Sequence, residues 1–294
     1  MPTGMKSELV PTAPSLADVL RWADRRLSTI EFGRLTAEAL LAHVLGLSRA
    51  QVLSRPEEPF PPELQPVWQA LVERAAEGEP LAYVTGRREF YGLDFSVDRC
   101  VLVPRPETEQ LVELGLKFLA ESASAAGSRR VLDVGTGSGI LAITLAVKSH
   151  AARIVASDVS AGALRVARAN AAQHGVLGRV VFVQSDLLLA FSPGSCDLLV
   201  ANLPYIPSAD LRALAVFRHE PALALDGGPD GLEPYRRLLA EAPRVMRPGG
   251  RMLLEIEDRR GPAAKALAQS VFSAAQVDIR RDLAGLDRVV DIAL

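Results

Sequence analysis

The sequence predicts an α/β fold: a seven-stranded sheet with interleaved helices, a small all-α N-terminal domain and a β-hairpin linker between them. Three observations predict it. From residue 131 onward, short apolar runs alternate with amphipathic stretches, the signature of a parallel, doubly wound sheet. Residues 15–78 instead carry helical periodicity throughout. Residues 79–104 follow neither pattern and alternate apolar with polar side chains around glycine.

Taken in order, residues 1–14 are polar and proline-containing and read as a flexible tail. Ser15 is placed to cap a helix whose apolar face is Leu16, Val19, Leu20, Ala23 and Leu27. Further helices are expected over 36–47, 48–53 and 64–76, with the prolines between 56 and 62 as a break. Thr85-Gly86 is expected to turn the hairpin of the 79–104 linker. The main domain then spans 105–294, with a helix from about Thr108 to Ala120 and a short loop at 123–128. Strands are expected at 131–134, 153–157, 180–184, 198–201, 251–255, 276–280 and 288–293. Helices fill 140–147, 161–174, 235–245 and 262–273.

Composition excludes several classes of function. A net charge of −2 does not suit a protein that blankets nucleic acid with a basic surface. Two cysteines, Cys100 and Cys196, lie far apart and outside any CxxC spacing, which excludes a disulfide framework or thiolate zinc site. The four histidines form no HExxH pattern, and no metal is expected. With neither a secretory leader nor a membrane-spanning run, a cytoplasmic protein is expected; a monomer is the expected state.

Chemistry concentrates at the ends of the expected strands. Asp133-Val-Gly-Thr-Gly-Ser-Gly139 turns the first strand of the sheet into a helix. Gly135, Gly137 and Gly139 let backbone approach a ligand closely, with Thr136 and Ser138 between them. The spacing is GxGxG rather than GxGxxG, and no P-loop lysine follows. Asp158, ending the next strand, can accept two hydrogen bonds from a ribose diol. Asp186 is placed to accept from an adenine amino group, and Leu187 to lie against the ring. Asp133 is open to two readings: shaping the loop through its amides, or holding an amine of the ligand.

The fourth strand of the sheet ends in Asn202-Leu203-Pro204-Tyr205. An amide nitrogen is a poor nucleophile because its lone pair is delocalised, and its two N–H groups need acceptors. The side-chain oxygen of Asn202 can take one and the carbonyl of residue 203 the other. Such a pair acts by positioning and preorganised dipoles, without a nucleophilic side chain. Tyr205 can pack against a flat substrate group.

These motifs together resemble the class I (Rossmann-like) S-adenosylmethionine methyltransferases that alkylate planar nitrogens. With Arg87-Arg-Glu-Phe-Tyr91, Val103-Pro-Arg-Pro-Glu-Thr-Glu109 and Phe217-Arg-His-Glu-Pro-Ala-Leu-Ala224, the chain resembles the release-factor glutamine methyltransferases over nearly its whole length. The resemblance implies S-adenosylmethionine as cofactor and a class 1 peptide chain release factor as protein substrate. It implies methylation of the glutamine amide in that protein's Gly-Gly-Gln motif, with no stable nucleic-acid binding. Gly135 to Gly139, Asp158, Asp186, Leu187 and Asn202 are implied to bind cofactor; Asn202 to Tyr205 are implied to form the catalytic and substrate site, and 15–78 to recognise the substrate. Phe90 and Arg105 are read as walls of the glutamine pocket, against the alternatives that Phe90 is a core aromatic and Arg105 pairs with Glu107 or Glu109. Arg87 and Arg88 read as a solvated face.

One departure stands out: the family has Asn-Pro-Pro-Tyr, and Leu203 occupies the first proline position. Leucine supplies the same backbone carbonyl but not the fixed φ of proline. Asn-Leu-Pro-Tyr also resembles the ribosomal RNA adenine dimethylases, so an adenine-amino methyltransferase acting on RNA or DNA is the alternative. It is disfavoured by the low charge and by the long segment ahead of the glycine loop. A non-catalytic adaptor does not explain the intact loop and acids, and an NAD-dependent dehydrogenase does not explain Asn202 to Tyr205.

Overall fold

The computed structural model describes residues 13–121, 128–150, 152–213 and 215–294. Almost all of the expected tail and the loop at 123–127 lie outside them. The chain divides into two compact units, one ending at Thr85 and the other beginning at Gly86. Among the described residues no helix is long and apolar enough to cross a membrane.

The first unit is helical. α1 (Leu16–Arg26) begins in a capping box: the Ser15 hydroxyl accepts from the Asp18 amide at 3.2 Å, and the Asp18 carboxylate accepts from the Ser15 amide at 2.9 Å. α2 (Gly33–Leu45), α3 (Arg49–Leu53, capped by Ser48) and α4 (Gln65–Ala76) follow. Their apolar stripes meet around Trp68, whose ring packs against Phe60 and Trp22 at centroid distances of 6.3 and 6.4 Å. A fifth helix, α5 (Leu81–Thr85), lies where the hairpin linker was expected to begin. It spans five residues, too few to show a helical period, and starts from the carbonyl of Pro80, which accepts from the amides of Tyr83 and Val84.

The second unit opens with the hairpin β1 (Arg87–Phe90) and β2 (Leu93–Ser96). Its turn is Tyr91-Gly92, not Thr85-Gly86. Both turn residues have positive φ (53° and 75°), as a two-residue type I′ connection requires. The segment read as a single linker, 79–104, is therefore shared: its first residues close the helical unit and the hairpin belongs to the second. α6 (Glu109–Glu121), β3 (Arg129–Val134), α7 (Ile140–Lys148), β4 (Ala152–Asp158), α8 (Ala161–Gln173), β5 (Val180–Gln184) and β6 (Cys196–Ala201) come next. α9 (Glu233–Val245), β7 (Met246–Glu255), α10 (Gly261–Val271), β8 (Gln276–Arg281) and β9 (Asp287–Ala293) complete it.

The seven strands β3 to β9 form one sheet in the order β5-β4-β3-β6-β7-β9-β8. The first five run parallel; β9 is antiparallel to both β7 and β8, so the sheet is mixed rather than wholly parallel. The short connection 282–286 can join β8 to β9 only as an antiparallel pair, because a parallel pair needs a crossover. The period of two along each strand divides the core. Val131, Leu198, Val200 and Leu253 pack with α6, α7 and the hairpin aromatics. Leu132, Val134, Leu199, Ala201 and Leu254 pack with α9 and α10.

Both tryptophans of the chain, Trp22 and Trp68, lie in the first unit, so tryptophan fluorescence reports that unit alone. Leu41→Ala empties a fully buried position of α2 and is expected to destabilise this unit by about 2–5 kcal/mol. Urea denaturation followed by tryptophan emission checks this; an unchanged midpoint contradicts the packing described.

Candidate active site

β3 lies between β4 and β6, and the chain leaves it in opposite directions on its two sides, the switch point where open α/β sheets bind ligands. Register sets the layout. Val134 is level with Ser157 of β4 and with Ala201 of β6, and Ala201 is level with Leu254 of β7. The next residues, Gly135, Asp158, Asn202 and Glu255, therefore form a row across four strand ends.

The glycine loop is held by carboxylates from beneath. Oδ2 of the buried Asp133 accepts from the Thr136 hydroxyl at 2.7 Å and from the Ala142 amide at 3.1 Å. Its Oδ1 is buried with no partner among the described residues. Burial pushes the Asp133 carboxyl up to about 7, opposed by these two bonds. The loop-shaping reading of Asp133 accounts for one oxygen and leaves the other. Gly139 precedes α7 at φ 88°, and a Cβ there would meet Ile143 Cδ1 at 2.6 Å. A Cβ on Gly135 would come within 3.0 Å of Leu203 Cδ2, so the loop and the Asn202 turn touch. Thr136 and Ser138 are both buried, and the Ser138 carbonyl accepts from Asn170 at 2.8 Å.

Asp158 accepts from the Gly137 amide through Oδ2 and from the Ser160 amide through Oδ1, each at 2.9 Å. Burial raises its carboxyl above the ordinary range, and the amide bonds oppose the rise. Asp186 pairs with Arg237 of α9 at 2.6 Å. Leu187 turns the chain at φ 46°, held by the Ser185 hydroxyl donating to its carbonyl at 3.2 Å.

At the end of β6, Nδ2 of Asn202 donates to Oγ1 of Thr108 at 3.1 Å, and Thr108 is fully buried. This leaves the Asn202 oxygen for the cavity, which Asn202 lines. The buried Tyr235 hydroxyl is 3.0 Å from the Leu203 carbonyl oxygen and also contacts the Glu255 carbonyl. Tyr205 packs against the α9 side of the core, and burial pushes its phenol up to about 12.

A cavity of about 580 Å³ brings these parts together, a size usual for small-molecule sites. Gly135 to Ser138, Asp158, Asp186, Leu187, Asn202, Leu203, Pro204 and Arg105 all line it. Gly139 and Tyr205 are not part of the lining. Phe90 is not at the site. It is buried in the core in an edge-to-face pair with Phe95 at 6.2 Å, so its reading as a pocket wall is corrected to the core alternative. Arg105 pairs neither with Glu107 nor with Glu109. Its partner is the buried Glu220 at 2.6 Å, and Glu109 instead accepts from the Tyr91 amide at 2.9 Å. Thr108, Glu220, Tyr235 and Arg237 have no role in the sequence reading, although Thr108 and Glu220 lie within the quoted motifs, because each reaches the site from a segment remote from its partner. Among the described residues no cluster of side chains could hold a metal ion.

Comparison with known proteins places this geometry. Residues 18–86 match the family described as the PrmC N-terminal domain, and 108–218 match the methyltransferase small domain. The human methyltransferase 10 domain containing protein shares the fold, with a TM-score of 0.51 at 15% identity over 69% of this chain and 89% of that one. The release factor glutamine methyltransferase of Moorella thermoacetica is 45% identical, covering 93% of this chain and 96% of its own. Those of Deinococcus radiodurans (42%; 94% and 97%) and Bacillus subtilis (37%; 94% and 96%) are similar over as much. With relatives of this identity along almost the full length of both chains, the protein belongs to the release factor glutamine methyltransferase family.

Proposed function

We propose that this enzyme transfers the methyl group of S-adenosylmethionine to the side-chain amide nitrogen of the glutamine in the Gly-Gly-Gln motif of a class 1 peptide chain release factor. The observation that carries the reading is the Asn202 amide, tied by its nitrogen to Thr108 so that its oxygen is left for the cavity shared with the glycine loop and Asp158.

The residues present suit the cofactor. The loop from Gly135 to Gly139 offers a side-chain-free cradle, the unpartnered Oδ1 of Asp133 lies beneath it, and Asp158 has lone pairs left for a ribose diol. Asp186 and Leu187 would border the adenine. When bound, S-adenosylmethionine supplies an electrophilic methyl group on a sulfonium sulfur.

The chain's own contribution is orientation. Asn202 Oδ1 and the Leu203 carbonyl would accept the two N–H bonds of the substrate amide, holding its nitrogen in line with the methyl group. A carbonyl oxygen has two lone pairs, so the Tyr235 hydroxyl leaves one for substrate. The buried Leu203 and its neighbour Pro204 add apolar surface to the cavity wall where that nitrogen would lie. Arg105, held by the buried Glu220, fixes the cavity edge where the protein substrate would enter.

Incubation with labelled S-adenosylmethionine and a purified release factor tests the assignment. Label is expected on the wild-type factor and not on a Gln-to-Ala variant of its Gly-Gly-Gln motif; equal labelling of both, or labelling of RNA alone, would sink it. Asn202→Ala is expected to lower kcat by roughly 100- to 1,000-fold, as for loss of a preorganised dipole, while calorimetry still detects cofactor binding. Near-normal turnover in that variant refutes the role given to Asn202. Asp158→Ala is expected to weaken cofactor binding by about 10- to 100-fold through lost charge-assisted hydrogen bonds, measured by the same calorimetry.

A further inference from the structure

A side chain remote from every strand end ties the glycine loop to the hairpin. Asn170, on α8, is fully buried and does not line the cavity. Its amide makes three hydrogen bonds. Oδ1 accepts from the Ser96 amide at 2.8 Å; Nδ2 donates to the Ser96 carbonyl at 3.0 Å and to the Ser138 carbonyl at 2.8 Å. Ser96 ends β2, and Ser138 belongs to the glycine loop. The end of α8 reinforces the hairpin side: Nε2 of Gln173 donates to the Asp94 carbonyl at 2.8 Å, and Nε2 of His174 lies 2.7 Å from the same oxygen.

The first half of the loop is held by β4. The amides of Gly135 and Thr136 donate to the Ser157 carbonyl at 2.9 and 2.8 Å, and the Gly137 amide donates to Asp158. The second half turns through Gly137 and Gly139, at φ 56° and 88°, with no Cβ on either to restrict rotation. Its hydrogen bond to another segment is the one from Asn170 to the Ser138 carbonyl. Close packing makes that bond possible. A Cβ on Gly139 would lie 3.1 Å from Ala167 Cβ, one turn before Asn170 on the same helix.

Two buried carbonyls and one amide thus converge on a single side chain. They call for two donors and one acceptor, which a primary amide supplies. A carboxylate of the same shape would keep the acceptor and set oxygens against both carbonyls.

We propose that Asn170 is a positioning residue for the cofactor: its amide holds the second half of the glycine loop in the conformation that binds S-adenosylmethionine, and makes the hairpin part of the same support. Asn170 itself touches neither cofactor nor substrate. The coupling is reciprocal, so bound cofactor steadies the end of β2 through the same side chain. The proposal rests on the placing of the cofactor at the glycine loop, not on glutamine as the methylated group.

Two variants of the full-length protein test it, with S-adenosylhomocysteine as the calorimetric probe. Asn170→Asp keeps the volume and removes both donor bonds; Asn170→Ala removes all three. Each is expected to weaken Kd for the probe by about 10- to 100-fold, as for buried carbonyls left without donors, with kcat at saturating S-adenosylmethionine within about threefold of wild type. If Asn170 only fills space, the aspartate variant keeps its Kd and the proposal falls. It falls equally if both variants melt at lower temperature while Kd stays at the wild-type value. Should neither variant fold, hydrogen exchange of the wild-type protein decides. S-adenosylhomocysteine is expected to slow exchange of the Ser96 amide by about threefold or more beyond any change at the Val290 amide of β9. Equal slowing at both positions, or none at Ser96, overturns the proposal. Failure of the wild-type protein to bind the probe would instead overturn the cofactor's placing, and failure to label the release factor with probe binding intact would overturn only the proposed substrate.

Discussion

The pairing of β3 with β4 on one side and β6 on the other is the constraint on which the site depends. Parallel register brings Val134, Ser157 and Ala201 level, so that Gly135, Asp158 and Asn202 emerge at one height from strands far apart in sequence. Each strand is pinned by its buried face. A one-residue slip would turn every side chain to the wrong side of the sheet. The wholly buried β6 makes such a slip especially costly. The hydrophobic core on both faces of the sheet thus sets the spacing of the polar groups at its edge.

The site itself is held by buried polar groups. Asp133 organises the glycine loop, Asp158 ties that loop to the end of β4, and Glu220 holds Arg105 at the rim. Each carboxylate is satisfied in part by donors from a neighbouring segment, which offsets the cost of its burial. The Arg105–Glu220 pair also links two of the segments, 103–109 and 217–224, that carried the family resemblance. Their shared presence in the sequence has a mechanical reason: one supplies the cation and the other the buried anion.

Leu203 illustrates how a local rule can be relaxed by tertiary support. Proline at this position would fix φ by its ring. Here the neighbouring Pro204 restricts Leu203 to extended conformations, and the Tyr235 hydroxyl lies against the Leu203 carbonyl oxygen. The leucine side chain is buried against the glycine loop. Rigidity lost from the ring is replaced by packing and by a hydrogen bond from α9.

The order of strands and helices, the Ser15 cap and the glycine loop were legible in sequence because each is a local matter of period, cap chemistry or steric freedom. The same holds for Asp158 and Asn202, which follow apolar strands directly. The antiparallel β9, the short α5 and the Tyr91-Gly92 turn were not legible, since connection length, a five-residue helix and a positive φ at tyrosine leave little periodic trace. Phe90 reads equally as a core or a pocket aromatic; only the packing against Phe95 decided it. By itself the sequence determined which residues end the strands and what chemistry they carry. Only the tertiary structure decided which of them meet: Arg105 with Glu220, Asp186 with Arg237, Asn202 with Thr108. The physical reason is that local propensity acts over a few residues, whereas these contacts join groups 51 to 115 positions apart, brought together by the register of a buried sheet.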